Sequence, residues 1–480
     1  MNIEITGAKV IKIIDTRFLL IFSICANLCV HLYKFLKFIM KNIHLLAMLA
    51  GGLLAPVCLP AQAAWTLEQC IHYGLENNIQ IKQQALTAGQ SANLWQQSKL
   101  DFLPSLSARA SYNMSWGRSV DLQNLQIIEN RLTQSFGPSI NASVSLFEGL
   151  QKVNTMKRYR ADYRAAVEEA EQMRNTVALN ITRAFLQVLL AKEVLATAEK
   201  SRESILRQHE LTRQLVAAGS QPYSTLLEIE AQLASEEVQF ITARNNVDLA
   251  YLSLRQLINL HAAGSFEIVA PVIDVEVVQR QEVVSSLYAS AVRLPQIKRS
   301  EFRMESARHA LAIAKGRYWP TISLTASYGS YFTEPNGDNV DFAQQLRNNR
   351  SPSLNFGLNI PLFQNWSIVT GARNARLSLR MAELELDSGR QELYKEIQQA
   401  LADASAAYSR YQASEQTVAA MQEAFRYMQE KFDVGLVNTT DYTIAKNNLF
   451  KAESDRLQAK YQYVFQTKII DFYKGMPLTL

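Results

Sequence analysis

A chain of 480 residues has room for two ordinary domains or one long one, and only Cys70 of its four cysteines lies beyond residue 60, which excludes a disulfide scaffold or thiolate metal cluster there. The formal charge of +5 sits at the start: residues 1–63 hold six Lys and Arg against two Asp and Glu, leaving 43 basic against 42 acidic residues in the rest. So even a balance excludes the basic footprint of a nucleic-acid binder.

The N-terminus reads as an export signal. From Met40 the chain has a basic start at Lys41, an apolar stretch from Leu45 to Leu59, and an Ala61-Gln62-Ala63 cleavage pattern before Ala64. Residues 40–63 are expected to be a signal peptide, and 1–39 an upstream extension that precedes the true start at Met40. The run Phe18–Tyr33 is short for a membrane span and is broken by Asn27 and His31. Ala-Pro-Val before Cys58 is a poor lipidation signal. Beyond residue 64 no apolar run reaches the 18 residues a spanning helix needs, which leaves the β-barrel as the route into a membrane.

The mature sequence repeats at a constant shift of 216. Gln80-Ile81-Lys82 falls on Gln296-Ile297-Lys298, Ser111-Tyr112 on Ser327-Tyr328, Leu146-Phe147 on Leu362-Phe363, and Gly219 on Gly435. Repeat architectures are recognised by such self-similarity. It divides the chain into a first copy at 64–263, a linker at 264–280 and a second copy at 281–480. Each copy follows one plan: short helix, strand, loop, strand, very long helix, tight turn, return helix.

The strands are expected at about 103–116 and 136–147, and at about 319–332 and 352–363, from apolar and polar alternation. Leu106, Ala108, Ala110, Tyr112, Met114 and Trp116 face one way, with Ser105, Ser107, Arg109, Ser111, Asn113 and Ser115 facing the other. Ile140, Ala142, Val144 and Leu146 alternate with serines and Asn141 in the second strand, and the second copy repeats the pattern. Such segments suit a barrel with lipid outside and water inside; a soluble sheet with one wet face would show the same alternation. Trp116, Tyr112, Tyr328, Tyr331 and Phe332 near strand ends fit an aromatic girdle. Four strands cannot close a barrel, whose smallest members have about eight, so the chain must pool strands with other copies. Three chains give twelve strands; arithmetic alone also permits two or four.

The long helices are expected from about Gly149 to Val216 and from about Asn365 to Phe432, each free of internal proline. Val177, Ile181, Ala184, Val188, Ala191 and Leu195 step by four and three, the seam of a coiled coil, as do Ile397, Leu401, Ala404, Tyr408 and Tyr411. The return helix and the helix before the strands, stacked end to end, would match one long helix.

Each long helix ends in a glycine-led turn. The first runs from Leu215 through Gly219 and Pro222 to Thr225 and Glu228; the second is Phe432-Asp-Val-Gly435-Leu-Val-Asn438-Thr-Thr-Asp441, then Ile444. A left-handed glycine ends a helix cheaply, and Ser224, Pro222, Asn438 or Thr439 can start the next.

With Gly-x-x-x-x-x-Asp at a helix hairpin, and the strand plan repeated twice, the chain resembles the TolC-type outer-membrane factor family over roughly residues 65–475. The resemblance implies a mixed α+β membrane protein: three protomers build a twelve-stranded β-barrel, four strands per chain, continued by a long α-helical coiled-coil barrel in the periplasm. It implies an exit duct for efflux or type I secretion, fed by an inner-membrane pump of resistance-nodulation-division or ABC type through a periplasmic adaptor. Gly219, Ser220, Gly435 and Leu436 become adaptor-docking tips, and Asp441, with Glu228 about a turn away, a pore constriction. The family's second acidic position falls on Ile444, and its basic partner near the tip falls on Val437; both depart from the pattern. An acid in a first helical turn also simply favours the positive dipole end, which is the plain reading of Asp441; for Glu228 it is a solvated helix face.

No enzyme constellation is present: no phosphate-cradling glycine loop, nucleophile elbow or His-Glu helix pair. Cys70 and His72 lack partners in sequence. No cofactor is expected, and the partners expected are copies of the same chain, the adaptor, the pump and outer-membrane lipid. The other class of function compatible with these helices is a coiled-coil structural or adhesin protein of the cell envelope.

Overall fold

The computed structural model describes residues 64–120, 127–260, 266–271, 284–335 and 341–480. The expected upstream extension and signal peptide, and most of the expected linker, lie outside the described residues. Residues 64–480 pack as one unit. Its elements are α1 (Leu67–Asn77), α2 (Ile79–Leu100), β1 (Ser105–Val120), β2 (Ile127–Glu148), α3 (Gln151–Ala217) and α4 (Tyr223–Ile258). Then follow α5 (Val284–Ala291), α6 (Pro295–Gly316), β3 (Thr321–Gly329), β4 (Phe332–Pro335), α7 (Phe342–Asn348), β5 (Ser351–Asn359), α8 (Ser367–Asp433) and α9 (Thr439–Lys474).

The bounds of α2, α3 and α4 return in α6, α8 and α9 at a shift of 216 residues. α3 and α8 each have 67 residues, about 100 Å at roughly 1.5 Å per residue. The seam expected on α3 is the buried one: Val177, Ile181, Val188 and Ala191 are inside, with Ala184 and Leu195 packed at its edge. Each fully buried aliphatic side chain contributes about 1.5–3 kcal/mol. On α8 the seam holds through Ile397 and Ala404, then shifts to Ala407 and Val418, leaving Tyr408 and Tyr411 half-buried.

α2 and α4 meet end to end beside α3. Asn78 caps α2 with its side-chain oxygen and donates its Nδ2 to the Leu257 carbonyl at 3.0 Å, while Asn259 donates its Nδ2 to the Asn77 carbonyl at 3.2 Å. Two amide side chains thus stitch two shorter helices into one column. α1 covers the joint, where Gly74 lies so close to Ile181 and Ile258 that a Cβ there would collide. Cys70 is buried in this core, and its thiol is pushed up to about 12 by desolvation and by Glu68.

The sheet has the order β1-β2-β3-β5, all antiparallel, with β4 pairing on to β2. The register keeps like with like. Ser107, Asn141, Ser327 and Ser353 form one cross-strand row, and Ala108, Ile140, Tyr328 and Pro352 the next. Hydroxyl pairs such as Ser105 with Ser143 at 2.9 Å and Ser327 with Ser353 at 2.6 Å knit the polar face.

Three strand expectations change. β1 and β2 run beyond the expected loop, pairing up to Val120 and Ile127, because the apolar and polar alternation of 117–135 is too irregular to read alone while the neighbouring ladder extends it. A bulge between Ser145 and Phe147 places Phe147 opposite Ile322, so Phe147 takes the apolar-face position expected of Leu146. In the second copy the loop instead holds β4 and α7. Gln345 of α7 accepts from the Thr333 amide and donates to its carbonyl, at 3.0 and 3.1 Å, in place of a neighbouring strand. Phe332 is buried against Phe342, 4.8 Å between ring centroids, so it belongs to this cap and not to an exposed girdle. Trp116, Tyr112 and Tyr331 are exposed as expected.

Among the described residues no helix is long and apolar enough to cross a membrane.

Candidate functional site at the hairpin tips

Both hairpin turns close by one mechanism. After α3, Gly219 adopts φ +72°, its amide reaches the Val216 carbonyl, and the Ser220 amide reaches the Leu215 carbonyl, both at 2.9 Å. After α8, Gly435 adopts φ +75°, with its amide on Phe432 at 3.0 Å and the Leu436 amide on Lys431 at 2.8 Å. These paired bonds satisfy carbonyls that a helix end leaves open, and they need a left-handed residue. A Cβ on either glycine would meet open space. Leu436 and Val434 are exposed to 75% and 70%, so the tip presents apolar side chains outward.

The next helices start differently. Pro222 caps α4 through backbone geometry alone, without a side-chain bond. Asn438 caps α9, its side-chain oxygen accepting from the Asp441 amide at 2.8 Å. Asp441 is therefore the third residue of α9, exposed, with its carboxylate in the positive first turn. Glu228 is also exposed, on α4. Ile444 is one turn beyond Asp441 on the same face and exposed to 52%. The first-turn reading of Asp441 is satisfied within one chain and leaves its side chain available to solvent.

Just inside the tips, the two hairpins are joined by a buried polar cluster. Lys446 of α9 points its Nζ to Glu236 Oε1 of α4 at 3.3 Å and donates to the Ser201 carbonyl of α3 at 2.9 Å. Ser201 Oγ donates to Glu236 Oε2 at 2.8 Å, and Gln232 Nε2 to Oε1 at 3.1 Å. The side chains of Lys446 and Glu236 are only 6% and 2% exposed. Desolvation holds the Lys446 ammonium below the usual lysine range, opposed by the Glu236 carboxylate. Toward the tip this cluster is sealed by Ile205, Phe432 and Tyr442, the last two stacked at 4.7 Å, with Phe425 and Val437 packed against them. Burial raises the Tyr442 hydroxyl above its ordinary value. A buried ion pair contributes little net stability, but removing one partner strands the other charge.

The sequence reading singles out none of Lys446, Glu236, Ser201 and Gln232. The available signal was a charge at a seam position: Glu236 stands in the series Ile229, Leu233, Glu236, Phe240, Ala243. Position 437, expected to lack the family's basic group, contributes an apolar contact instead.

Long helical hairpins are thus joined to an open sheet four strands wide, in which β3 and β4 both pair with β2. The family model for outer membrane efflux proteins matches residues 71–260 and 287–468. The chain belongs to that family. Outer membrane protein TolC of Salmonella enteritidis is 24% identical over 405 residues, covering 83% of this chain and 79% of that protein. Alkaline protease secretion protein AprF of Pseudomonas aeruginosa is 22% identical over 345 residues, covering 70% and 69%. Among solved structures, CusC superposes with a TM-score of 0.74 at 17% identity, over 88% of this chain and 96% of that one, which shows a shared fold. As a member of the family, the chain is an outer-membrane efflux protein with a channel fold.

Proposed function

We propose that this chain is one third of a passive exit duct that a periplasmic adaptor and an inner-membrane pump open at its tips, for efflux or type I secretion. The observation that carries the reading is the sheet. Four strands share one apolar and one small-polar face, and β1 and β5 end it with unpaired edges among the described residues. Exposed edges of this length call for partners, and three copies supply twelve strands, enough to close a barrel. The matched lengths of α3 with α8 and of α4 with α9 then give six near-equivalent hairpins around one axis, the outcome of an internal duplication.

On this reading Gly219, Ser220, Gly435 and Leu436 are the docking surface for the adaptor. Asp441 lines the narrowest point as a ring of three carboxylates, with Glu228 on the neighbouring hairpin. Clustered carboxylates attract cations and bind multivalent ones most strongly. Ile444, one turn further, adds an apolar ring where a second acidic ring would otherwise stand, so this duct should hold cations less tightly than one with two.

Purified protein in a planar bilayer should open stable pores, blocked by multivalent cations from the tip side. An absence of pores at any voltage would sink the duct reading and favour a structural coiled-coil role. Unchanged block in Asp441→Asn would move the constriction elsewhere.

A further inference from the structure

The opposite end of the molecule, where helices become strands, carries a feature that the duct reading does not use. Leu100, Phe102 and Leu103 stand exposed at the end of α2, and Tyr318 and Trp319, the counterparts of Phe102 and Leu103 at the 216-residue shift, stand exposed after α6. Leu150 and Trp366, at the starts of α3 and α8, are likewise exposed. The structure gathers these segments at one level. Lys152 Nζ donates to the Asp101 carbonyl at 2.8 Å, and Gly149 packs against Gly316 and the Trp319 Cβ, where an added Cβ would lie 2.8 Å from the latter.

Cations are interleaved with this apolar collar. Lys99 and Lys315 occupy the last turns of α2 and α6, again at equivalent positions, and Arg317 caps α6. Lys99 lies over the Trp95 ring at 3.6 Å. Among the described residues no carboxylate pairs with Lys99, Lys315 or Arg317. Aromatic and leucine side chains beside cations that lack a carboxylate partner match the boundary of a bilayer, where acyl chains meet charged headgroups.

We propose that this collar is a binding site for anionic phospholipid in the leaflet on the helical side. Headgroup phosphates sit against Lys99 at the end of α2 and against Lys315 and Arg317 at the end of α6, and the acyl chains run along Phe102, Tyr318, Trp319 and the apolar strand face. The inference rests on reading the strands as a membrane wall. Charge complementarity selects an anionic over a zwitterionic headgroup, by about fivefold per cation near the surface.

The test uses the purified full chain in micelles doped with equal phosphatidylglycerol and phosphatidylethanolamine, read by native mass spectrometry. Retained adducts should favour phosphatidylglycerol, and the preference should vanish in Lys99→Gln/Lys315→Gln/Arg317→Gln. A wild-type chain without preference, or a triple variant that keeps it, overturns the proposal. A second measurement separates this from the underlying reading: quenching of Trp319 fluorescence by brominated zwitterionic lipid, taken as the difference from Trp319→Phe. Quenching with no anionic preference removes the site and leaves the membrane wall standing. No quenching removes both. Should the triple variant fail to fold, Lys315→Gln alone should lower the preference severalfold, and an unchanged value overturns the site.

Discussion

The two ends of the long helices are built alike and do opposite things. At both, left-handed residues sit where the chain reverses: Gly149 at φ +59° before α3 and Asn365 at φ +49° before α8, and Gly219 and Gly435 at the tips. At the strand end the glycine is crowded by Gly316 and Trp319; at the tips its surroundings are empty. Charge divides them too. Residues 99–103, 148–162, 305–319 and 364–380 hold eleven Lys and Arg against four Asp and Glu, while 203–230 and 423–446 hold five against eight. A chain close to neutral beyond residue 63 is thus polarised along its helices. Helix geometry fixes the reversals; what surrounds each reversal decides whether it is a packed joint or an exposed tip.

The largest expected effect tests whether the tip end is rigid just inside its turns. Lys446→Met strands the Glu236 carboxylate in a site that is 2% exposed, which should cost about 3–5 kcal/mol. Thermal unfolding should show it as a lowered midpoint. Lys446→Met with Glu236→Leu should recover most of the loss, since an apolar replacement of both partners is about neutral or better. Failure of the double variant to recover would mean that Ser201 and Gln232 depend on the carboxylate for more than its charge.

The next sets glycine against glycine. Gly149→Ala should cost more than the roughly 1–2 kcal/mol of a left-handed non-glycine residue, because the added methyl also meets Gly316 and Trp319. Gly435→Ala should show only that conformational penalty. Equal losses in chemical denaturation would erase the distinction between joint and tip.

A smaller effect sharpens the tip alone. Asn438→Ala removes the acceptor for the Asp441 amide and should cost about 1 kcal/mol. Hydrogen exchange should speed up in the first turn of α9 and remain unchanged in α4, whose cap has no side-chain bond. Asp441→Asn should leave stability within about 0.5 kcal/mol, as an exposed substitution does, and weaken multivalent-cation block in a bilayer. Its effect is on the ion and not on the fold.

Much of this protein is legible before folding. The shift of 216 residues, the absence of proline from α3 and α8, the heptad seam around Ile181 and the glycines at both turns follow from local rules of period, φ and helix ends. Asn438 as a cap and the alternation of Leu106 to Trp116 belong to the same class. What local rules do not reach are relations between segments distant in sequence. The burial of Lys446 against Glu236 and Ser201 joins residues more than 200 positions apart, and nothing local marks a lysine as inward-facing except its place on a seam. The removal of Phe332 from the girdle, the bulge at Ser145 and Phe147, and the longer β1–β2 ladder likewise depend on what lies across the sheet.

The sequence by itself determined the elements and their twofold plan, because helix ends, turns and pleats are set by neighbours a few residues apart. Only the tertiary structure decided which surfaces are joints, which are tips, and where charge is buried. Those outcomes depend on which faces meet, and meeting faces are fixed by packing across the whole length of the helices.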